Sequence, residues 1–140
     1  MRRLLMLFLT VVTVAGCDSN PTSFEEAVAG TYTLRSISGD SLPLTLRNDT
    51  VVGHVQFIAS EILMGLNGVY REIDTFRTTK GAAITTVADT FTATWAPGQT
   101  TNTMTFTTQT SSGPFTFTGA WSGTNTITML IDGESWIYRR

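Results

Sequence analysis

Thr126-Ile127-Thr128-Met129-Leu130-Ile131-Asp132-Gly133-Glu134-Ser135-Trp136-Ile137-Tyr138-Arg139 is the stretch that decides the fold class. Asp-Gly between two alternating apolar runs signals a two-residue type I′ hairpin turn, because both central residues of that turn take positive φ. The turn pairs Ile131 with Glu134, Met129 with Trp136 and Ile127 with Tyr138. Ile127, Met129, Ile131, Trp136 and Tyr138 then share one face, and Thr126, Thr128, Ser135 and Arg139 take the other. A slip of one residue would expose the whole apolar set, so pattern and turn hold each other in place.

The same alternation extends back through the chain. Threonine occupies 27 of the 140 positions, a composition suited to strands rather than helices. Candidate strands are 31–37, 51–58, 61–66, 69–77, 84–95, 102–109, 115–121, 126–131 and 135–139, with Leu44 to Arg47 a weaker extra. Turn signals separate them at Ser38-Gly39-Asp40, Asn67-Gly68, Pro97-Gly98, Ser112-Gly113-Pro114 and Gly123-Thr124-Asn125. Ser23-Phe24-Glu25-Glu26 reads as a capping box opening a short helix that Gly30 stops. Tyr32, Leu34, Val55, Phe57, Phe91, Ala93, Trp95, Met104, Phe106, Phe115, Phe117 and Trp121 are expected inward. Val55 and Phe57 have odd parity and Ile62 and Met64 even, which requires a bulge or tight turn near Ala59-Ser60. The expected fold is all-β, an antiparallel up-and-down meander of about 8–10 strands. It closes as a barrel, with a two-sheet sandwich as the alternative.

Asn67-Gly68, read as a second two-residue turn, pairs Leu66 with Val69, Met64 with Arg71 and Ile62 with Ile73. Ile62, Met64, Leu66, Val69 and Ile73 then face the core, with Arg71 among them. The same register places Glu61 opposite Asp74, with Glu72 on the same outer face. Three carboxylates can hold calcium or form an acid/base pair, but no Asp/Asn-rich loop of calcium spacing accompanies them. The expectation is a mildly repulsive hairpin face rather than a metal site. Asp89 shares the parity of Phe91 and Trp95 and is expected at a barrel rim, where water satisfies it.

Little other chemistry is legible. A net charge of −2 with 14% charged residues excludes a basic nucleic-acid binder, and the apolar fraction of 41% excludes a disordered polyanion. One cysteine excludes an internal disulfide framework and a multi-cysteine zinc site. His54, the only histidine, has no Gly-x-Ser-x-Gly elbow to serve, so it reads as a strand-surface residue. No phosphate loop leads into a helix. Neither an enzyme nor a cofactor is expected.

The N-terminus carries an address. Met1-Arg2-Arg3 precedes twelve uncharged residues, Leu4 to Ala15, shorter than the roughly 20 that a spanning helix needs. Val14-Ala15-Gly16-Cys17 resembles a bacterial lipoprotein signal, in which small residues precede the cysteine that is lipidated and becomes the new N-terminus. The resemblance implies a cleaved signal at 1–16, a lipidated tether at 17–22 and a single domain at 23–140. It also implies residence in the cell envelope, lipid-anchored to a membrane through Cys17. Removing 1–16 takes away Arg2 and Arg3 and no acid, moving the balance from −2 to −4. The lipid, not charge, must therefore hold the protein to anionic headgroups. Asp18 is similar to an inner-membrane retention signal, and the choice between inner and outer membrane stays open.

A short helix, then Gly30-Thr31-Tyr32 opening the first strand, then a meander closing at Trp136-Ile137-Tyr138-Arg139, resembles small lipocalin-like bacterial lipoproteins. The resemblance implies a barrel plugged at one end by the helix, a basic residue of the last strand near the first, and a small apolar ligand. The many inward aromatics support a filled interior instead, and with it an interaction domain that binds another envelope protein.

Overall fold

The computed structural model describes residues 23–140; the expected signal at 1–16, the expected tether at 17–22 and Cys17 lie outside the described residues. Ser23 Oγ accepts the Glu26 N–H at 3.2 Å and caps helix α1 (Phe24–Val28). Ten strands follow: β1 (Gly30–Ile37), β2 (Asp40–Ser41), β3 (Leu44–Asp49), β4 (Gly53–Met64), β5 (Val69–Lys80), β6 (Ala83–Pro97), β7 (Thr103–Thr110), β8 (Gly113–Trp121), β9 (Thr126–Ile131) and β10 (Glu134–Arg139). Each neighbouring pair is antiparallel, and the first half of β1 also pairs with the last half of β4, Gly30 opposite Met64 and Thr33 opposite Glu61. That pairing closes β1 and β4 to β10 into an eight-stranded barrel. The fold is therefore the barrel and not the sandwich. Strands β2 and β3 lie outside the ring, on the ends of β1 and β4 that diverge from each other.

The β9–β10 hairpin has the register its turn predicts, Ile131 opposite Glu134 and Ile127 opposite Tyr138, with φ of 51° at Asp132 and 83° at Gly133. The expected strands 51–58 and 61–66 are one strand, β4. Its register shifts between Phe57 and Ala59, so the bulge brings Phe57, Ser60, Ile62 and Met64 onto one buried face. Asp40, expected in a turn, instead pairs with Ile37 in β2; the turn is Ser38-Gly39, both at positive φ.

The β4–β5 hairpin departs from expectation. Gly65 N–H donates to Val69 O at 2.8 Å and Gly68 N–H to Gly65 O at 3.2 Å, so the loop is the three residues Leu66-Asn67-Gly68, with Gly68 at φ 75°. This is a turn ended by a left-handed glycine, not a two-residue turn. Met64 pairs with Tyr70, Ile62 with Glu72 and Glu61 with Ile73. The one-residue difference turns β5 over. Tyr70 and Glu72 are buried, while Val69 is 43% exposed and Leu66 65%. Arg71 faces out instead of compromising the core.

At the end where β1 starts and β10 ends, the barrel is filled. Val28, Tyr32, Ile62, Met64, Met104, Phe106, Ile127 and Met129 are fully or almost fully buried there. Helix α1 covers this end. Tyr32 Oη donates to Val28 O at 2.6 Å, and Phe24 meets Trp121 edge-on at 6.0 Å. Arg140 lies over the Tyr32 ring at 5.4 Å and donates to Ala29 O at 2.7 Å and to Asn125 Oδ1 at 2.8 Å. It thereby satisfies carbonyls at the helix end. A side chain at Gly30 would strike the Arg140 guanidinium.

Candidate functional site

The opposite end is open. β6 pairs with β7 only from Thr94 to Pro97, with Thr108 Oγ1 adding a bond to Thr92 O at 2.9 Å. From Ala83 to Phe91, β6 is paired on its β5 side alone, so the barrel wall parts between β6 and β7. Two recesses meet inside this mouth. One, of about 310 Å³, is lined by Phe91, Phe115, Phe117, Ile131 and Trp136 together with Glu72, Asp74 and Asp89. The other, of about 350 Å³, lies under β3 between Leu44, Phe57, Phe76 and Trp136 and also reaches Asp74. Trp136 and Asp74 therefore stand in the walls of both. Trp136 packs on Phe57 at 5.8 Å, and Phe57 stacks on Phe76 at 5.2 Å.

Below the mouth lies Glu72, 6% exposed. Its carboxylate accepts Tyr70 Oη at 2.8 Å, Tyr138 Oη at 2.6 Å and Ser60 Oγ at 3.1 Å. A carboxylate set among aromatic rings is tolerated only when its oxygens are bonded in this way. Burial pushes both tyrosine hydroxyls to higher pKa, and the adjoining Glu72 charge pushes them further, so they stay protonated and remain donors. Around them Tyr70 meets Phe106 at 5.0 Å and Phe117 at 6.0 Å edge-on. Phe106 and Phe117 stack at 4.7 Å. Such aromatic pairs contribute about 0.5–1.5 kcal/mol each beyond area burial.

Asp74 has less support, a side-chain hydrogen bond from Ser60 that lowers its pKa but does not offset burial. Its Oδ1 is closed off from solvent without a hydrogen-bond partner. It sits opposite Asp89 across the β5–β6 ladder and opposite Ser60 across β4. Burial first, then the Glu72 and Asp89 charges, raise its carboxyl to about 6. Trp136 Nε1 is likewise buried and unpartnered. The wall of the recess thus holds one unmet acceptor and one unmet donor, both closed off from solvent.

The structure takes apart the expected Glu61, Glu72 and Asp74 group. Glu61 faces outward opposite Ile73 and Thr33, whereas Glu72 and Asp74 point into the barrel because β5 is turned over. No three His, Cys, Asp or Glu side chains among the described residues are placed to hold a metal ion. Asp89 lies at the rim, exposed and accepting the Thr90 N–H at 2.9 Å. His54 is on the outside of β4, 3.0 Å from Thr45 Oγ1. Sequence reasoning missed Tyr70 and Ser60 altogether and put Glu72 on the wrong face. The signal that could have found them is Gly65, just before the loop, where a side chain would crowd Asn67 Oδ1 and the Val69 carbonyl.

No known protein family, no curated protein and no solved structure matches the chain. No helix among the described residues is long and apolar enough to cross a membrane.

Proposed function

We propose that this protein is an envelope lipoprotein, anchored through lipid on Cys17, whose barrel binds a small molecule with an apolar body at its open end and performs no catalysis. The observation that supports the reading most is the aromatic recess bounded by Phe91, Phe115, Phe117 and Trp136, with the unpartnered Trp136 Nε1 and Asp74 Oδ1 in its wall. A filled, helix-covered end and an apolar mouth with a few convergent polar groups suit a binding site. The lipocalin-like resemblance agrees with the reading, as does Arg140 stacked on Tyr32 beside the helix. Native mass spectrometry of the full protein extracted from its own membrane tests it. The expected result is an acylated Cys17 at the N-terminus and a co-purifying small molecule that Phe117→Ala loses. An unprocessed N-terminus, or a bare barrel, contradicts it.

A second reading, an interaction domain for another envelope protein, is favoured by a different observation. Leu46, Val51, Ile84 and Val87 are all more than half exposed, on the parts of β3 to β6 that project past the ring. Cross-linking in intact cells that captures one protein through these four positions, and loses it when they are changed to serine, supports this second reading.

A further inference from the structure

We infer that the molecule held at the barrel mouth is a lipophilic ammonium, a protonated amine on an aromatic or aliphatic body. The inference rests on the small-molecule reading above and adds the ligand's charge. The recess is first of all an aromatic one: four of its eight lining residues are Phe91, Phe115, Phe117 and Trp136, with Ile131 beside them, and ring faces attract cations through their quadrupole. All the charge in it has one sign. Glu72, Asp74 and Asp89 line this recess, and Asp40 and Glu134 join Asp74 in the adjoining one. No Arg, Lys or His lines either. Arg47 with Asp49 is the one ion pair among the described residues, and it lies elsewhere on β3.

The placement of these groups narrows the chemistry further. Glu72 has its oxygens engaged by three hydroxyls, so it supplies field rather than a free contact. Asp74, part-exposed in the walls of both recesses, is the carboxylate left for a ligand, and an ammonium N–H meets it with charge where a quaternary or neutral body does not. Asp74 faces Asp89 directly across the ladder; opposed like charges are unfavourable, and a cation between them reverses that sign. An anionic ligand would meet uncompensated repulsion from the same residues. The ammonium end is therefore placed between Asp74 and Asp89, and the apolar end against Phe91, Phe117 and Trp136.

The test uses the full lipidated chain in neutral phosphatidylcholine nanodiscs, with empty nanodiscs subtracted, and three probes of one shape: 1-naphthylmethylamine, 1-naphthylmethanol and 1-naphthoate. Calorimetric titration at neutral pH is expected to show the amine binding at least about tenfold tighter than the alcohol and the carboxylate not binding. Asp74→Asn is expected to reduce the amine's advantage over the alcohol to about threefold or less. Asp89→Asn, at an exposed position that does not support the fold, is expected to reduce it in the same direction. An alcohol that binds as tightly as the amine, or an amine advantage untouched by both variants, overturns the ammonium inference and leaves the small-molecule reading standing. Absence of binding by all three probes overturns both.

Discussion

Asp74 is the residue at which stability and the proposed function oppose each other. Its carboxyl is raised from 3.8 to about 6 by burial and by the Glu72 and Asp89 charges, so the folded state holds this proton more tightly than the unfolded chain does. The sign follows from linkage: the associated stability is fully present below about pH 4 and is lost as pH rises through about 6. Asp74→Asn removes the liability. It is expected to raise stability at neutral pH by about 1–2 kcal/mol, a value discounted for solvent screening at the mouth. The gain should shrink to nothing near pH 4 in paired thermal melts. Glu72 is the opposite case. Glu72→Leu strands the hydroxyls of Tyr70, Tyr138 and Ser60 and is expected to cost about 3–5 kcal/mol in urea melts. Glu72→Gln keeps an acceptor and is expected to cost less than half of that.

At the scale of elements, the β4–β5 hairpin carries the account. If the three-residue loop sets the register, Tyr70→Ala removes a buried ring and is expected to cost about 3–5 kcal/mol, whereas Ile73→Ala, on the outer face, should cost about 1. The reverse ranking would mean that β5 faces the other way. The two hairpins also show what was legible in the sequence. In β9–β10 the Asp132-Gly133 turn and the apolar alternation agree, so strand, register and face all follow locally. In β4–β5 the alternation of Ile62, Met64 and Leu66 with Val69 and Ile73 favoured one tidy apolar face, of which the chain buries only Ile62 and Met64. The face it uses holds Tyr70, Glu72, Asp74 and Phe76 and puts two acids inside. That choice is stable because Tyr138 and Ser60, from β10 and β4, bond Glu72, and such compensation across distant strands leaves no local pattern. The bulge near Ala59-Ser60 was legible from parity alone. The parting of β6 from β7 was not, since no glycine or proline in 84–95 marks where the pairing to β7 stops.

Over the whole molecule, a helix-covered packed end and an open acidic, aromatic end give the barrel a polarity. Ser23, which opens the helix at the covered end, is six residues beyond Cys17 in sequence. Cys17→Ser is expected to leave the barrel's melting curve unchanged while moving the protein from the membrane to the soluble fraction. A variant that still pellets and resists carbonate washing argues against lipid anchoring. Under the proposed function the mouth, and no other part of the barrel, takes a small molecule. The three tryptophan indoles report on it separately: Trp95 is bonded to Gly65 O at 3.0 Å, Trp121 packs on Phe24 of α1, and Trp136 lines both recesses. Nitrogen-15 correlation spectra of the indole N–H groups, recorded while 1-naphthylmethylamine is added, test the claim most directly. The account predicts a saturable shift of the Trp136 signal with Trp95 and Trp121 unmoved. A shift of Trp95 or Trp121 with Trp136 unchanged, or no saturable shift at all, would contradict it.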